Sequence, residues 1–130
     1  MPRFGKRSLT RLKTTHAKLQ ILFHVIIQHF DCSILHGYRS PEKQLQLYNS
    51  GLSKVQVSKH NSIPSNAIDV APWPIEWKNL KRFYYFSGFV MGIAAAMKIK
   101  IRWGGDWNMN TRVEDESFRD LSHFELLGED

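Results

Sequence analysis

The stretch that most constrains the fold is Ser58-Lys59-His60-Asn61-Ser62-Ile63-Pro64-Ser65-Asn66-Ala67-Ile68-Asp69-Val70-Ala71-Pro72. Without Asp69, the run Ala67-Ile68-Asp69-Val70-Ala71 would read as a buried strand. An ionised carboxylate in such a run is costly unless a cation or several donors satisfy it. The fold must therefore carry partners to Asp69 from other parts of the chain. His60 lies nine residues upstream across a polar, Pro-containing loop, and imidazole with carboxylate is ordinary ligand chemistry for zinc. Near the other end, Asp120-Leu121-Ser122-His123-Phe124-Glu125-Leu126 places a carboxylate three residues before a histidine that enters another apolar run. His60, Asp69 and His123 fill three of four tetrahedral positions and leave one open, the arrangement of a hydrolytic zinc site. Asp120 is spaced to reach the open side, where it would take a proton from water and return it to a leaving amine. A cap or surface charge is the plainer reading of Asp120. Glu125 reads as a solvent-facing strand residue.

Hydrophobic periodicity supplies the frame. Ser8 or Thr10 caps a helix expected to run to about residue 30, with Leu12, Leu19, Leu22, Phe23, Ile26, Ile27 and Phe30 forming one apolar stripe. His16, His24 and His29 on this helix read as surface, because five-residue spacing does not stack two side chains on one face. A short strand over 33–37 ends at Gly37. Ser40 and Pro41 then open a helix that stops at Gly51. Residues 52–66 form a loop, and Pro72 and Pro74 end the Asp69 strand. A helix apolar on most faces is expected over 76–97, with Trp77 in its pattern and Gly88, Gly92 and Ala94-Ala95-Ala96 allowing close approach. Strands over 99–103 and 123–127 follow, with a turn at Gly104-Gly105 and a loop over 108–117 between them. The expected class is α+β: about three helices on a small antiparallel sheet.

With 130 residues, 42% of them hydrophobic, the chain can bury a core of its own. Cys32 is the sole cysteine, so no intrachain disulfide forms, and it reads as a buried filler in a strand. No signal-peptide pattern opens the chain, and neither apolar stretch, 19–27 or 83–97, reaches the length needed to span a bilayer. Stable membrane insertion is not expected. The net charge of +6 is uneven: residues 1–30 hold six Lys/Arg and no acid, whereas residues 114–130 hold seven acids and one Arg. The basic end suits attraction to a polyanionic surface such as a cell wall. Nucleic acid is not an expected partner, because the basic residues are not interleaved with aromatics in a reading motif.

Ser58-x-His60, Ala67-x-Asp69 and Asp120-x-x-His123 together resemble the zinc D-alanyl-D-alanine carboxypeptidase/dipeptidase family. The closer likeness is to its bacteriophage branch, the L-alanyl-D-glutamate endopeptidase endolysins. Phe4-Gly5-Lys6-Arg7-Ser8-Leu9, Gly37-Tyr38-Arg39-Ser40-Pro41-Glu42-Lys43-Gln44 and Arg102-Trp103-Gly104-Gly105-Asp106-Trp107 match in the family's order and span nearly the whole chain. The resemblance implies one zinc peptidase domain over 1–130 with a hedgehog/D-Ala-D-Ala peptidase-like fold. It implies Zn2+ on His60, Asp69 and His123, with Asp120 as the base where the carboxypeptidase branch commonly has Glu. Arg39, held at a strand-to-helix turn, is implied to stabilise the oxyanion. The implied substrate is the peptidoglycan stem peptide, cut between L-alanine and D-glutamate, with a D-alanyl-D-alanine terminus as the alternative bond. The implied protein is a monomer made in the host cytoplasm that acts on the cell wall at lysis. Two features depart from the family: Ser65 stands where a glycine is usual, and the loop from His60 to Asp69 is longer than in many members. Asp106 is open between orienting a zinc-binding histidine, contacting substrate and capping a turn.

Two rivals make different demands. The iron triad of oxygenases also uses two histidines and a carboxylate, but pairs its first two ligands closely on a many-stranded barrel. A non-catalytic zinc domain binding cell wall would need a fourth protein ligand and no Asp120.

Overall fold

The computed structural model describes residues 2–128. Its elements run α1 (Lys6–Leu12), α2 (Ala17–Ile26), β1 (Cys32–His36), α3 (Pro41–Asn49), a 3-10 turn (Lys59–Asn61), β2 (Ala67–Pro72), α4 (Leu80–Ala96), β3 (Ile101–Gly104) and β4 (Asp120–Leu126). The four strands form one sheet in the order β1-β2-β4-β3, antiparallel at each pairing. The α+β class is as expected, and the sheet is too small for the iron-oxygenase barrel.

Strand alternation divides the sheet into two faces. Ile68, Val70, Phe124 and Leu126 enter the core, which α2 closes with Leu19, Leu22, Phe23 and Ile26 and α4 with Phe86, Val90 and Ala94. Phe124 is clasped edge-on by Phe23 and Phe86, with ring centroids 5.7 and 6.4 Å away. The residues between them on the strands face the other way. Register makes them neighbours: Asp69 lies opposite His123 and, across a bulge in β1, opposite His36. Ala67 and Arg102 both lie opposite Glu125 in the adjoining row.

The helix expected from residue 8 to 30 is two helices. Thr14 and Thr15 donate their hydroxyls to the carbonyls of Arg11 and Leu12, and Thr15 bridges to Ser65. These side-chain bonds compete with the helical ladder, and His16 restarts it by accepting from the Lys18 N–H at 3.0 Å. The break makes room for the end of β1: a Cβ on Gly37 would fall 2.4 Å from the Arg11 carbonyl oxygen. Ser65, the departure from the family's glycine, is fully buried and anchors this junction through main-chain bonds to Thr14 and His16.

Helix α4 also corrects the sequence reading. It starts at Leu80, capped by Asn79, and buries a single stripe of Phe83, Phe86, Ser87, Val90 and Ala94. Gly88 and Gly92 meet nothing within 4 Å of an added Cβ. Gly88, Gly92, Ala95 and Ala96 therefore face outward and are not a seat for another element, while Ala94 packs into the core. Trp77 lies before the helix, exposed and stacked on Phe83. Cys32 is buried in β1 as expected, where burial pushes its thiol up to about 12.

Candidate metal centre

The local structure around His60 aims its ring. Ser58 Oγ accepts from the His60 N–H, while Asn61 Oδ1 accepts from the Ser58 N–H, a reciprocal cap at the 3-10 turn. Asn61 Nδ2 donates to the Arg39 carbonyl and the Arg39 N–H donates to the His60 carbonyl, each at 2.8 Å. The turn carrying His60 is thereby stitched to the turn carrying Arg39. His60 Nδ1 donates to the Gly37 carbonyl at 2.7 Å, which leaves the Nε2 lone pair pointing inward. That atom is buried and has no hydrogen-bond partner, although Asp69 Oδ1 is 3.3 Å away.

Asp69 Oδ1 also lies 3.3 Å from His123 Nδ1, while Oδ2 faces His36 Nδ1 at 3.0 Å and Arg39 Nη2 at 3.6 Å. One ligand atom each from His60, Asp69 and His123 falls within 4.8 Å of the others, and all three residues are buried. Among the described residues this is the one such group. An orphaned imidazole nitrogen converging with a carboxylate and a second imidazole is what a resident cation requires, and the donor types suit zinc. The electrostatics agree. Burial opposes the charge on Asp69, but hydrogen bonds from His123 and His36, with His60 close by, outweigh it and hold the carboxyl well below its usual range. Burial alone would lower His123; its bonds to Asp69 and Glu125 reverse this and raise it to about 9.

The remaining expected residues fall around this centre. Arg39 is held from behind: Nη1 donates to Gln44 Oε1 at 2.8 Å, and Gln44, fully buried, donates in turn to Ser53 Oγ at 2.8 Å and the Val55 carbonyl at 2.7 Å. Asp120 begins β4, which starts three residues earlier than the strand expected over 123–127, and lines the cleft with the three metal-site residues. Gly104 opposite permits this, since any Cβ there would strike the Asp120 carbonyl. Burial and the nearby Asp69 charge raise the Asp120 carboxyl above its ordinary range. Asp106 accepts from the N–H groups of Asn110 and Thr111, so it caps a turn.

Glu125 corrects the sequence reading. It is not solvent-facing but 6% exposed, with Oε1 2.8 Å from His123 Nε2 and Oε2 2.8 Å from Arg102. Alternation from His123 already implied that the two share a face; the burial of that face could not be read locally. Burial would raise the Glu125 carboxyl, but the bonds from His123 and Arg102 lower it to about 2. His36 also escaped the sequence reading, and Gln44 entered it only as the end of a matching stretch, without a role. His36 sits one strand from Asp69, and only the β1 bulge aligns it.

These residues floor a cleft of about 1160 Å³, walled by Tyr38, Trp77, Trp107 and Phe118 and edged by Lys43, Lys54 and Lys59. The cleft admits a peptide, and the bound carboxylates, imidazoles and guanidinium at its floor can support metal-assisted hydrolysis.

Residues 1–127 match the family model described as phage L-alanyl-D-glutamate peptidase. The L-alanyl-D-glutamate peptidase of Escherichia phage T5 is 31% identical over 134 residues, an alignment covering 96% of this chain and 98% of that protein. The crystal structure of the Serratia marcescens L-Ala D-Glu endopeptidase ChiX superposes with a TM-score of 0.75 at 23% identity, covering 95% of this chain and 90% of that one. At that identity the likeness speaks for the fold.

Proposed function

The chain belongs to the phage L-alanyl-D-glutamate peptidase family, and from that premise we propose that it is a zinc-dependent endolysin that hydrolyses the L-alanyl-D-glutamate bond of peptidoglycan stem peptides. The observation that carries the zinc reading is the buried, unpartnered Nε2 of His60 converging with Asp69 and His123. His60 Nε2, an Asp69 oxygen and His123 Nδ1 would hold the ion. Zinc bound there supplies Lewis acidity, which acidifies water to a pKa of roughly 7 and polarises a carbonyl.

The chain's own residues supply the rest. Asp120 takes the proton of the attacking water and returns it to the leaving amine; a carboxyl raised above its ordinary range suits both halves of that task. Arg39 presents its guanidinium to the developing oxyanion, its direction set by Gln44. Lys43, Lys54 and Lys59 edge the cleft with positive charge, which suits a stem peptide whose D-glutamate keeps a free carboxylate. Among the described residues no helix is long and apolar enough to cross a membrane. In this reading the protein is a monomer that accumulates in the host cytoplasm and meets its substrate once the membrane is breached.

Purified peptidoglycan digested with the zinc-loaded protein tests the reading. Mass spectrometry should find new amino termini at D-glutamate. New termini elsewhere, or released D-alanine alone, would replace the bond assignment, and an intact polymer would refute the activity.

A further inference from the structure

We propose that Glu125 is a positioning residue for the metal centre. It fixes which ring nitrogen of His123 faces the ion, and Arg102 and Lys59 hold it in place to do so. The inference rests on reading His60, Asp69 and His123 as a metal centre, and adds to that reading a residue outside the ligand set.

The geometry begins with strand register. Glu125 follows His123 by two residues on β4, so both side chains stand on the same face of the sheet. Its carboxylate Oε1 lies 2.8 Å from His123 Nε2. An ionised carboxylate only accepts, so Nε2 must carry the hydrogen. That leaves Nδ1 turned toward Asp69 Oδ1 at 3.3 Å, the same oxygen that faces the orphaned His60 Nε2 at 3.3 Å. An ion between Nδ1 and Asp69 would replace the proton the two otherwise share and receive the Nδ1 lone pair; with the tautomer reversed, the Nε2 lone pair would face the Glu125 carboxylate, a repulsive contact in a buried site.

The two histidines therefore offer opposite nitrogens to the centre for one reason. His60 is pinned through Nδ1 by the Gly37 carbonyl and offers Nε2; His123 is pinned through Nε2 by Glu125 and offers Nδ1. A carboxylate behind a ligating imidazole also makes it a more basic donor.

Glu125 is itself clamped. Its other oxygen, Oε2, accepts from Arg102 Nη2 at 2.8 Å and pairs with Lys59 Nζ at 3.5 Å. Both cations are tied elsewhere: Lys59 donates to the Leu126 carbonyl, and the Arg102 guanidinium lies 5.4 Å over the Trp107 ring. Trp107 in turn packs 5.5 Å from the His123 ring. The cations occupy one oxygen and the imidazole the other, so both carboxylate oxygens are held. If Glu125 instead served only to staple the loop to the sheet, its removal would lower stability and leave zinc affinity and ring tautomer alone.

Competition titrations against a chromophoric chelator, run on the full chain, separate these roles. Glu125→Gln keeps an acceptor oxygen for Nε2–H but loses the charge, and zinc affinity should weaken about 10-fold; Glu125→Ala should approach about 100-fold, the scale for losing a partner behind a metal ligand. Long-range 1H–15N spectra of the zinc-loaded wild type should show His123 protonated at Nε2 and metallated at Nδ1. Glu125→Gln should retain that signature. Wild-type affinity in both variants overturns the proposal, as does a wild-type spectrum with Nε2 on the metal; the latter decides the matter even if Glu125→Ala fails to fold. A wild-type chain that takes up no zinc would instead refute the metal centre on which the proposal stands.

Discussion

Gln44 offers the sharpest test of how the site is built, because it is far from the metal residues in role yet supports the arginine. The perturbation is Gln44→Leu, close to isosteric and free of a new cavity. It removes three hydrogen bonds, to Arg39 Nη1, Ser53 Oγ and the Val55 carbonyl. Ser53 and Val55 are near the surface, so water can replace much of what they lose, and together they account for about 1 kcal/mol. The bond to the guanidinium is charge-assisted and sheltered, since the Arg39 side chain is 14% exposed, and such a bond contributes about 1.5–3 kcal/mol. The sum is about 2.5–4 kcal/mol. For a chain of this length that lowers the melting temperature by about 8–15 °C.

The catalytic effect should follow from geometry rather than stability. Without Gln44, Arg39 keeps its charge and its 3.6 Å approach to Asp69 but loses the tether that sets the plane of its fork. Turnover should fall about 10- to 100-fold, toward the scale for a misplaced catalytic group. Zinc content should stay at one equivalent, because the Gln44 side chain hydrogen-bonds to Arg39, Ser53 and Val55 and to none of the three metal-site residues. Thermal melts, metal analysis and rates of peptidoglycan solubilisation below the variant's melting point check all three. A variant with wild-type turnover would refute the account of Arg39 as a guanidinium aimed from behind. One that loses its zinc would show that α3 supports the centre as well.

Arg39→Lys keeps a positive charge but not the fixed fork, so zinc content should be normal and turnover should fall roughly 10²-fold, the loss expected for one oxyanion donor; unchanged turnover would remove Arg39 from the mechanism. Asp120→Asn should fold, keep zinc and lose at least ~10²-fold in rate, whereas His123→Ala should lose zinc and rate together; an Asp120→Asn protein without zinc would make Asp120 a ligand. Cys32 holds its proton up to about 12 in the fold against 9.0 in the open chain, so its contribution to stability is complete below pH 9 and is lost as pH rises from there toward 12. Melting temperature should therefore decline through that range, less steeply in Cys32→Ala, and the wild-type thiol should resist alkylation at pH 8 until denaturant is added.

The parts of this protein legible in its sequence are those that depend on near neighbours along the chain. Ser40 and Pro41 start α3 and Gly51 follows its end, because caps and left-handed turns are decided within a few residues. Asp69 stood out because an apolar run with one carboxylate demands a partner, and the partners proposed for it, His60 and His123, are the residues that converge on it. What the sequence could not show is what distant segments do when they meet. The first helix breaks at Thr14 and Thr15 because Ser65, fifty residues on, offers a competing main-chain pairing. Gly88 and Gly92 look outward because the sheet covers only one stripe of α4. His36 meets Asp69 only through a bulge in β1, and Glu125 is buried because register sets it opposite Arg102 while Lys59 closes over it. Spacing along a strand says which side chains share a face; whether that face meets solvent, a cation or a metal is settled by which strand lies beside it, and that is a property of the assembled sheet.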